Sequence, residues 1–287
     1  MQTDLFGHTR YRVNLHTHTT RSDGVFSPEK AAERYRAAGY DALALTDHWV
    51  FGENTTAENG LLLLSGIEYD TKTSTKDGLF HIVGIGMQKD PRLPRDATVQ
   101  EMINDIKRAG GFAVLAHPAW SLNTPAHVLP LENVDATEIY NSVSGVHMSR
   151  RADSSLLVDM LGAQGRLYPL LASDDAHYYD NDACAAWIMV RAEACTQDAI
   201  LSALYRGNFY ATQGPEVHLH REGDTFVVTC SPCREIAFLS DRAFSHRVFE
   251  GEDLTSARYT PLENETFIRV QVTDKNGNKA WTNPVKL

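Results

Sequence analysis

Histidine and carboxylate side chains recur in this sequence directly after short apolar segments that we predict to be strands. These positions are His16, His18, Asp47, His48, Glu68, His117, Asp174, Asp175 and His177. Nitrogen and oxygen donors without cysteine favour zinc, manganese or iron over a thiolate-bound structural zinc. If the strands run parallel in a barrel, their C-terminal ends meet at one face. The sequence therefore predicts one shared metal site.

Each of these residues, taken alone, has an ordinary structural explanation. His48 could be a satisfied core histidine, His117 could shape a turn before a proline, and Asp23 precedes a glycine in a typical turn pair. In the segment from His16 to His18, by contrast, both imidazoles face the same side of an extended chain. Because donors follow nearly every predicted strand, a common site explains the pattern better than independent accidents.

The elements that must position these donors alternate as βα units. Ser27 and Pro28 begin a predicted helix that ends at Gly39. Thr98 and Glu101 form a capping box at the start of another predicted helix. Predicted strands lie at 11–15, 40–45, 61–67, 80–85, 112–116, 134–140, 167–172 and 185–190. The pattern predicts an α/β domain over residues 1–214.

After residue 214 the sequence changes to short segments in which apolar and polar residues alternate, with hairpin turns such as Lys275-Asn276-Gly277. These segments predict a small antiparallel β domain over residues 215–287. The pair Cys230 and Cys233 has no second pair nearby, so we interpret both as buried or incidental thiols.

Composition limits the function further. The chain has 287 residues, 43% of them hydrophobic, and a net charge of −10. This charge argues against binding long nucleic acid, which needs many Lys and Arg contacts to phosphates. The sequence shows no run of about 18 apolar residues and no secretory signal, so we expect a cytoplasmic protein without membrane insertion. Nothing in it indicates an oligomeric state.

Several motifs together resemble a known family. NLHTHTTRSDGVFSPEKAAERYRAAGYDALALTDH resembles the opening motif of the PHP (polymerase and histidinol phosphatase) superfamily. GIEYD, FHIVGIG, AHPAW, EIYN and ASDDAH follow in the order which that family uses, over roughly residues 11–212. The resemblance implies a distorted TIM-like (β/α)7 barrel, here with a small C-terminal β domain, and a cluster of two or three divalent metals (Zn, Mn or Fe).

The resemblance also implies a set of metal ligands. They are His16, His18 and Asp175 for the first metal, Glu68 as a bridge to a second metal completed by His81 and His117, and Asp23, His48 and His177 for the third. The D-x-H spacing favours Asp175 over its neighbour Asp174, which remains the alternative. Asp174 and Asp47 are then expected to support the ligands. Arg150 and Arg151 are either clamps for a substrate anion or an exposed helix start.

These expectations together predict a metal-dependent phosphoesterase. Three divalent cations carry about +6 against about −3 from the ligand carboxylates, so the site would attract a small phosphorylated substrate. A water bridging two cations could ionise near a pKa of about 7 and attack phosphorus. The residues expected to take part in catalysis are His16, His18, Glu68, His117, Asp175 and His177; the general acid stays open. The alternatives are a carboxylic or carbamate ester hydrolase with the same site, or a non-catalytic metal-binding module.

Overall fold

A computed structural model of the chain describes residues 1–244 and 246–287, which form a mixed α/β fold. The helices are α1 (Pro28–Ala37), α2 (Val99–Arg108), α3 (Pro125–Val128), α4 (Ser155–Gly162) and α5 (Gln197–Tyr205). The strands up to the end of the predicted α/β domain are β1 (Gln2–Thr3), β2 (Thr9–Asn14), β3 (Ala42–Ala44), β4 (Thr55–Thr56), β5 (Leu62–Leu64), β6 (Gly66–Asp70), β7 (His81–Ile85), β8 (Phe112–Leu115), β9 (Ala136–Asn141), β10 (Leu170–Ser173), β11 (Trp187–Val190) and β12 (Phe209–Thr212). The strands beyond it are β13 (Val217–Glu222), β14 (Thr225–Leu239), β15 (Val248–Tyr259), β16 (Phe267–Thr273), β17 (Lys279–Trp281) and β18 (Val285–Lys286).

The strands form two sheets of mixed direction. One has the order β13-β14-β16-β17-β12-β11-β2-β3-β5-β4, with β1, β15 and β18 attached, and the other has the order β10-β9-β8-β7-β6. The pairs β2–β3, β3–β5, β8–β9 and β9–β10 are parallel, as the βα pattern predicted, but β7 runs antiparallel to both β6 and β8. The loop between β6 and β7 is too short for the helical crossover that a parallel pair requires.

The predicted α/β class is confirmed, whereas no closed barrel is found among the described residues. The hydrogen-bonded ladders stop at the edges of the two sheets. Isolated bridges nevertheless join the sheets at two points, between Thr17 and Ala176 and between His48 and Glu68. Both bridges lie beside predicted metal ligands.

The local helix signals appear as predicted. Ser27 caps α1 and Gly39 follows its end with φ 82°. In α2 the Thr98 hydroxyl accepts the Glu101 amide at 3.3 Å, while the Glu101 carboxylate accepts the Thr98 amide at 2.8 Å. This reciprocal pair satisfies two backbone donors that a helix start otherwise leaves unpaired.

Thr98→Ala is expected to lower the free energy of unfolding by about 1 kcal/mol, because it removes the acceptor for the first turn of α2. Chemical denaturation measures the change, with the exposed threonine Thr75→Ala as the control. An equal, negligible effect of both substitutions would contradict the role given to the cap.

The C-terminal strands continue the first sheet. β17 pairs with both β12 and β16, so residues from either side of the predicted boundary at 214/215 share one ladder. Trp281 of β17 is fully buried in a core cluster to which both sheets contribute, and it stacks on Tyr140 of β9 at 5.7 Å between ring centroids. Arg269 of β16 donates two hydrogen bonds, of 2.6 and 2.7 Å, to Asp159 of α4.

Two further features of this region are the length of β14 and the state of its two cysteines. Where the sequence pattern predicted short strands, residues 225–239 form one long strand, β14, whose register against β15 shifts around Cys233. Cys230 and Cys233 are buried, unbridged thiols, in agreement with their interpretation above. Across residues 1–244 and 246–287, each helix is too short or too polar to cross a membrane.

Candidate metal centre

The predicted donors converge at one end of the two sheets. His16 and His18 follow β2, His48 follows β3, His117 follows β8, and Asp175 and His177 follow β10. Glu68 lies inside β6, and His81 is the first residue of β7. Because β6 and β7 are antiparallel, the start of β7 lies beside the end of β6. The antiparallel pair thus explains how His81, at the beginning of a strand, reaches the same place as the others.

Four buried side chains form the tightest group. His16 Nε2 lies 3.2 Å from His18 Nε2, 3.3 Å from Glu68 Oε1 and 3.1 Å from Asp175 Oδ1. His18 Nε2 lies 3.0 Å from Glu68 Oε2 and 3.0 Å from Asp175 Oδ1. Donors about 2.0–2.1 Å from a tetrahedral ion stand about 3.3–3.4 Å apart. The spacing of this group therefore fits a single divalent cation.

A second group of possible ligands shares Glu68. His81 Nδ1 lies 2.9 Å from Glu68 Oε1, and His48 Nδ1 lies 3.2 Å from Glu68 Oε2. His117 Nε2 approaches the same carboxylate at 3.4 Å, although it is outside the groups whose donor atoms all lie within 4.8 Å of one another. The two oxygens of Glu68 thus face donors on both sides, as a bridging carboxylate requires.

The third group surrounds Asp23, whose side chain is half exposed. Asp23 lies 3.3 Å from His18 Nδ1, 3.4 Å from His177 Nε2 and 3.9 Å from His48 Nε2. His18 and His48 therefore each belong to two groups, with one ring nitrogen facing each. Because a neutral imidazole has one lone pair for coordination, the groups compete for these two rings.

Two buried atoms point to cations rather than to an ordinary hydrogen-bond network. Asp175 Oδ1 and His48 Nδ1 make no well-aligned hydrogen bond within the part of the chain that the structure describes, although other predicted ligand atoms lie 3.0 and 3.2 Å from them. A buried polar atom left without a partner is costly, and coordination of a cation removes that cost. The donor set, which contains nitrogen and oxygen but no sulfur, fits the divalent metals predicted from the sequence.

The electrostatics keep the acids of this centre charged. Burial raises the pKa of Glu68, but the imidazoles of His48, His16 and His81 hold it well below its ordinary value. Burial likewise raises the pKa of Asp175, and the imidazoles of His16 and His18 outweigh that effect and lower it. Burial lowers the pKa of His48. Burial also lowers the pKa of His16 and His18, but the neighbouring carboxylates outweigh that effect and raise it, so a cation that binds there displaces protons from these imidazoles.

The backbone around the centre is strained. His117, Asp175, Trp49 and Tyr179 have φ values of 27°, 53°, 57° and 62°, all in the left-handed region that side chains disfavour. Each is a predicted ligand or lies within two residues of one. Such strain of about 1–3 kcal/mol per residue persists where surrounding contacts fix the chain, and it clusters at functional sites.

The acids expected to support the ligands differ in what they contact. Asp174 points away from the donors and accepts hydrogen bonds from the Tyr35 hydroxyl at 2.8 Å and the Ala186 amide at 2.8 Å. Burial raises the pKa of Asp174 to about 6. Asp47 contacts no ligand imidazole directly; it accepts the Ser22 hydroxyl at 2.9 Å, and that hydroxyl lies 3.3 Å from His18 Nδ1.

The site prediction did not include one buried acid that lies beside the centre. Glu138 lies within β9 and its carboxylate is 2.8 Å from His16 Nδ1. It belongs to the EIYN segment, where an acid interrupts a buried strand. Because Glu138 lies inside a strand and not after one, the sequence feature that could have identified it is this acid within an otherwise apolar strand.

Seven of the nine predicted ligands, all except His16 and His18, line a cavity of about 140 Å³ together with Trp120, Val143, Ser144 and Met148. Arg150 and Arg151 are not among its lining residues. The Arg150 guanidinium instead donates to the Gly145 carbonyl oxygen at 3.2 Å. The structure thus brings the predicted ligands together and places both arginines outside the cavity.

Comparisons with known proteins find a similar fold over nearly the whole chain and one short sequence match. No protein-family profile matches the chain. A 5′-3′ exoribonuclease of Haemophilus influenzae is 36% identical over 83 residues, which cover 27% of this chain and only 30% of that enzyme. A solved structure from Bacteroides vulgatus, described as a two-domain protein containing a predicted PHP-like metal-dependent phosphoesterase, aligns with a TM-score of 0.57 and 16% identity over 99% of this chain and 98% of that one. An amidohydrolase from Chromobacterium violaceum aligns with a TM-score of 0.44 and 17% identity over 59% of this chain and 89% of that one.

Proposed function

We propose that this chain is a metal-dependent hydrolase of phosphate esters of the PHP superfamily, a proposal supported by its similarity in fold to a PHP-like protein. The observation that carries the proposal is the group formed by His16, His18, Glu68 and Asp175. Its donor atoms lie 3.0–3.3 Å apart around a common point, where one cation fits. Of the remaining predicted ligands, His81 and His117 contact Oε1 of Glu68 and His48 contacts Oε2.

The ligands proposed for two or three cations are His16, His18, Asp23, His48, Glu68, His81, His117, Asp175 and His177. Bound divalent cations supply Lewis-acid charge for the phosphoryl oxygens and lower the pKa of water. The chain itself contributes fixed positions, since its donors stand on strand ends and on strained turns. It also shields the reacting groups, because most of these donors are buried.

Phosphate esters are favoured as substrates by the sequence motifs and by the short match to an exoribonuclease, an enzyme that cleaves phosphodiesters. Long nucleic acid is not proposed, because the chain carries a net charge of −10. The cavity of about 140 Å³ suits a small phosphorylated molecule. We further propose that the two sheets form the distorted barrel implied by the resemblance, a view supported by the bridges Thr17–Ala176 and His48–Glu68.

The test combines elemental analysis with a panel of phosphomonoesters and phosphodiesters, measured with zinc, manganese and iron. We expect two or more metals per chain and phosphate ester hydrolysis that His16→Ala abolishes. Exposed His220→Ala is the matched control and should leave both quantities unchanged. A protein that binds no metal, or that binds metal and hydrolyses nothing in the panel, would favour a non-catalytic module.

A carboxylic or carbamate ester hydrolase is the second candidate. The residues that line the cavity include no lysine or arginine within the described chain, so a neutral ester can enter without leaving a cationic side chain unpaired. Adding carboxylic and carbamate esters to the panel separates the two candidates. Cleavage of these esters without phosphate release would select the second.

Trp120→Ala is expected to raise KM for an aryl phosphate about tenfold while leaving KM for glycerol phosphate nearly unchanged. Trp120, Val143 and Met148 form the apolar part of the cavity lining, and an aromatic wall favours an apolar leaving group. Because Trp120 also contacts His81 and His117 at 5.3 and 4.9 Å between ring centroids, metal content is measured as the control. Equal effects on both substrates would contradict a role in recognition.

A further inference from the structure

We propose that Glu138 is a positioning residue that holds His16 in its metal-binding tautomer and fixes three segments of the metal centre relative to one another. The inference rests on the metal site of the proposed function and adds a residue outside its ligand set. It is carried by the contacts of a single buried carboxylate.

This carboxylate has four polar neighbours, and the two amide groups among them can only donate. Glu138 Oε1 faces His16 Nδ1 at 2.8 Å and accepts the Ser173 hydroxyl. Its Oε2 accepts the His117 backbone amide at 2.7 Å and the Asn141 side-chain amide at 2.9 Å. Because an ionised carboxylate can only accept, the proton between Glu138 and His16 lies on Nδ1.

The orientation of Asn141 is fixed independently. Its carbonyl oxygen accepts both the amide and the hydroxyl of Ser144, at 3.1 and 2.7 Å. Its NH2 group must therefore face the acids, where it reaches Glu138 and Asp175 Oδ2 at 3.2 Å. This amide connects Glu138 to a second ligand of the tightest group.

Placing the proton on Nδ1 leaves the lone pair of His16 on Nε2, the atom that faces the cation site. Without Glu138, the carboxylates of Glu68 and Asp175, at 3.3 and 3.1 Å from Nε2, would attract the proton to that side. A proton on Nε2 would occupy the position that the cation needs. Glu138 thus competes with the ligand acids for one proton and keeps Nε2 available.

Glu138 also joins segments that are distant in the sequence. His16 follows β2, His117 follows β8, and Ser173 ends β10, so one carboxylate spans three strand ends. The His117 amide that it accepts belongs to a backbone with φ 27°. Loss of the carboxylate would release both an imidazole and a strained turn that carries another ligand.

The test measures cobalt affinity by chelator competition and the visible absorption spectrum of the cobalt-bound protein. Glu138→Gln places an amide NH2 against donors and is expected to weaken affinity by about 10- to 100-fold and to change the spectrum. Glu138→Asp keeps the charge and should fall between wild type and Glu138→Gln. It is the variant to use if the amide variant does not fold.

The matched control is Glu265→Gln. Glu265 is also buried, accepting the Tyr259 hydroxyl and the Leu262 amide at 2.8 and 2.7 Å, but it lies in the loop between β15 and β16, away from the centre. We expect this control to lower thermal stability while leaving cobalt affinity and spectrum unchanged. If the Glu138 variants behave in the same way, the positioning role is refuted.

Two outcomes separate this inference from the proposed function. A wild-type protein that binds no cobalt would overturn the metal site and the role of Glu138 together. A wild-type protein that binds cobalt but hydrolyses no ester would overturn only the proposed function, since the affinity difference between wild type and Glu138→Gln would still be measured.

Discussion

Glu68→Gln is expected to lower phosphate ester hydrolysis by about three orders of magnitude and to reduce metal content. The two oxygens of Glu68 lie 2.9–3.4 Å from nitrogens of His16, His18, His48, His81 and His117. An amide keeps the size but removes the charge and one of the two coordinating oxygens. Losing several kcal/mol of electrostatic stabilisation of the transition state corresponds to a rate loss of about 10³-fold.

The measurement is kcat/KM beside elemental analysis, with Glu101→Gln as the control. Glu101 is an exposed acid in the first turn of α2, so its substitution should change neither quantity. If Glu68→Gln retained the wild-type rate and metal content, the bridging role would have to be abandoned. If it retained metal but lost activity, Glu68 would act on the reaction rather than on cation binding.

Trp281→Ala is expected to lower the free energy of unfolding by about 3–5 kcal/mol, the usual range for deleting a large buried aromatic side chain. Trp281 is fully buried, stacks on Tyr140 and donates from its indole nitrogen to the Gln271 side chain at 3.0 Å. Denaturant unfolding measures the loss, and Phe244→Ala, at a side chain that is 95% exposed, is the control. A loss below about 1 kcal/mol would mean that the C-terminal strands contribute little to the core.

The same packing makes a prediction for the shortened chain 1–214. Ending the chain there removes β17, the partner of β12, and leaves an open sheet edge beside a cavity where Trp281 belongs. We expect this fragment to be insoluble or unfolded, because exposed edges promote association. A soluble fragment with native metal content would instead support two independently folding domains.

The parts of the fold that local signals determine were predictable from sequence. Ser27 and Thr98 cap their helices because short hydroxyl side chains satisfy amides over a few residues, without help from the rest of the chain. The strand ends carrying His16, His117 and Asp175 were predictable for a similar reason. Buried apolar runs followed by polar donors identify them.

Features that depend on pairing between distant segments were not predictable. No residue within FHIVGI specifies the antiparallel direction of β7; the short loop after β6 restricts that pair, but the antiparallel pairing with β8 follows from the fold. The predicted donors follow strands, whereas Glu138 lies inside one, and its significance arises from donors on three other segments. Arg150 was suggested by residue type alone, and its observed carbonyl partner depends on the fold of a single turn.

The pairing of β12 with β17 also affects how the protein is made. The ribosome completes β12, at Phe209–Thr212, long before its neighbour β17, at Lys279–Trp281. At about 5–20 residues per second, the delay is on the order of 3–13 s. During that interval the nascent chain presents an uncovered strand and an incomplete core, which makes it a client for chaperones. Synonymous codons that slow translation between these strands should therefore reduce the yield of folded protein without changing any residue.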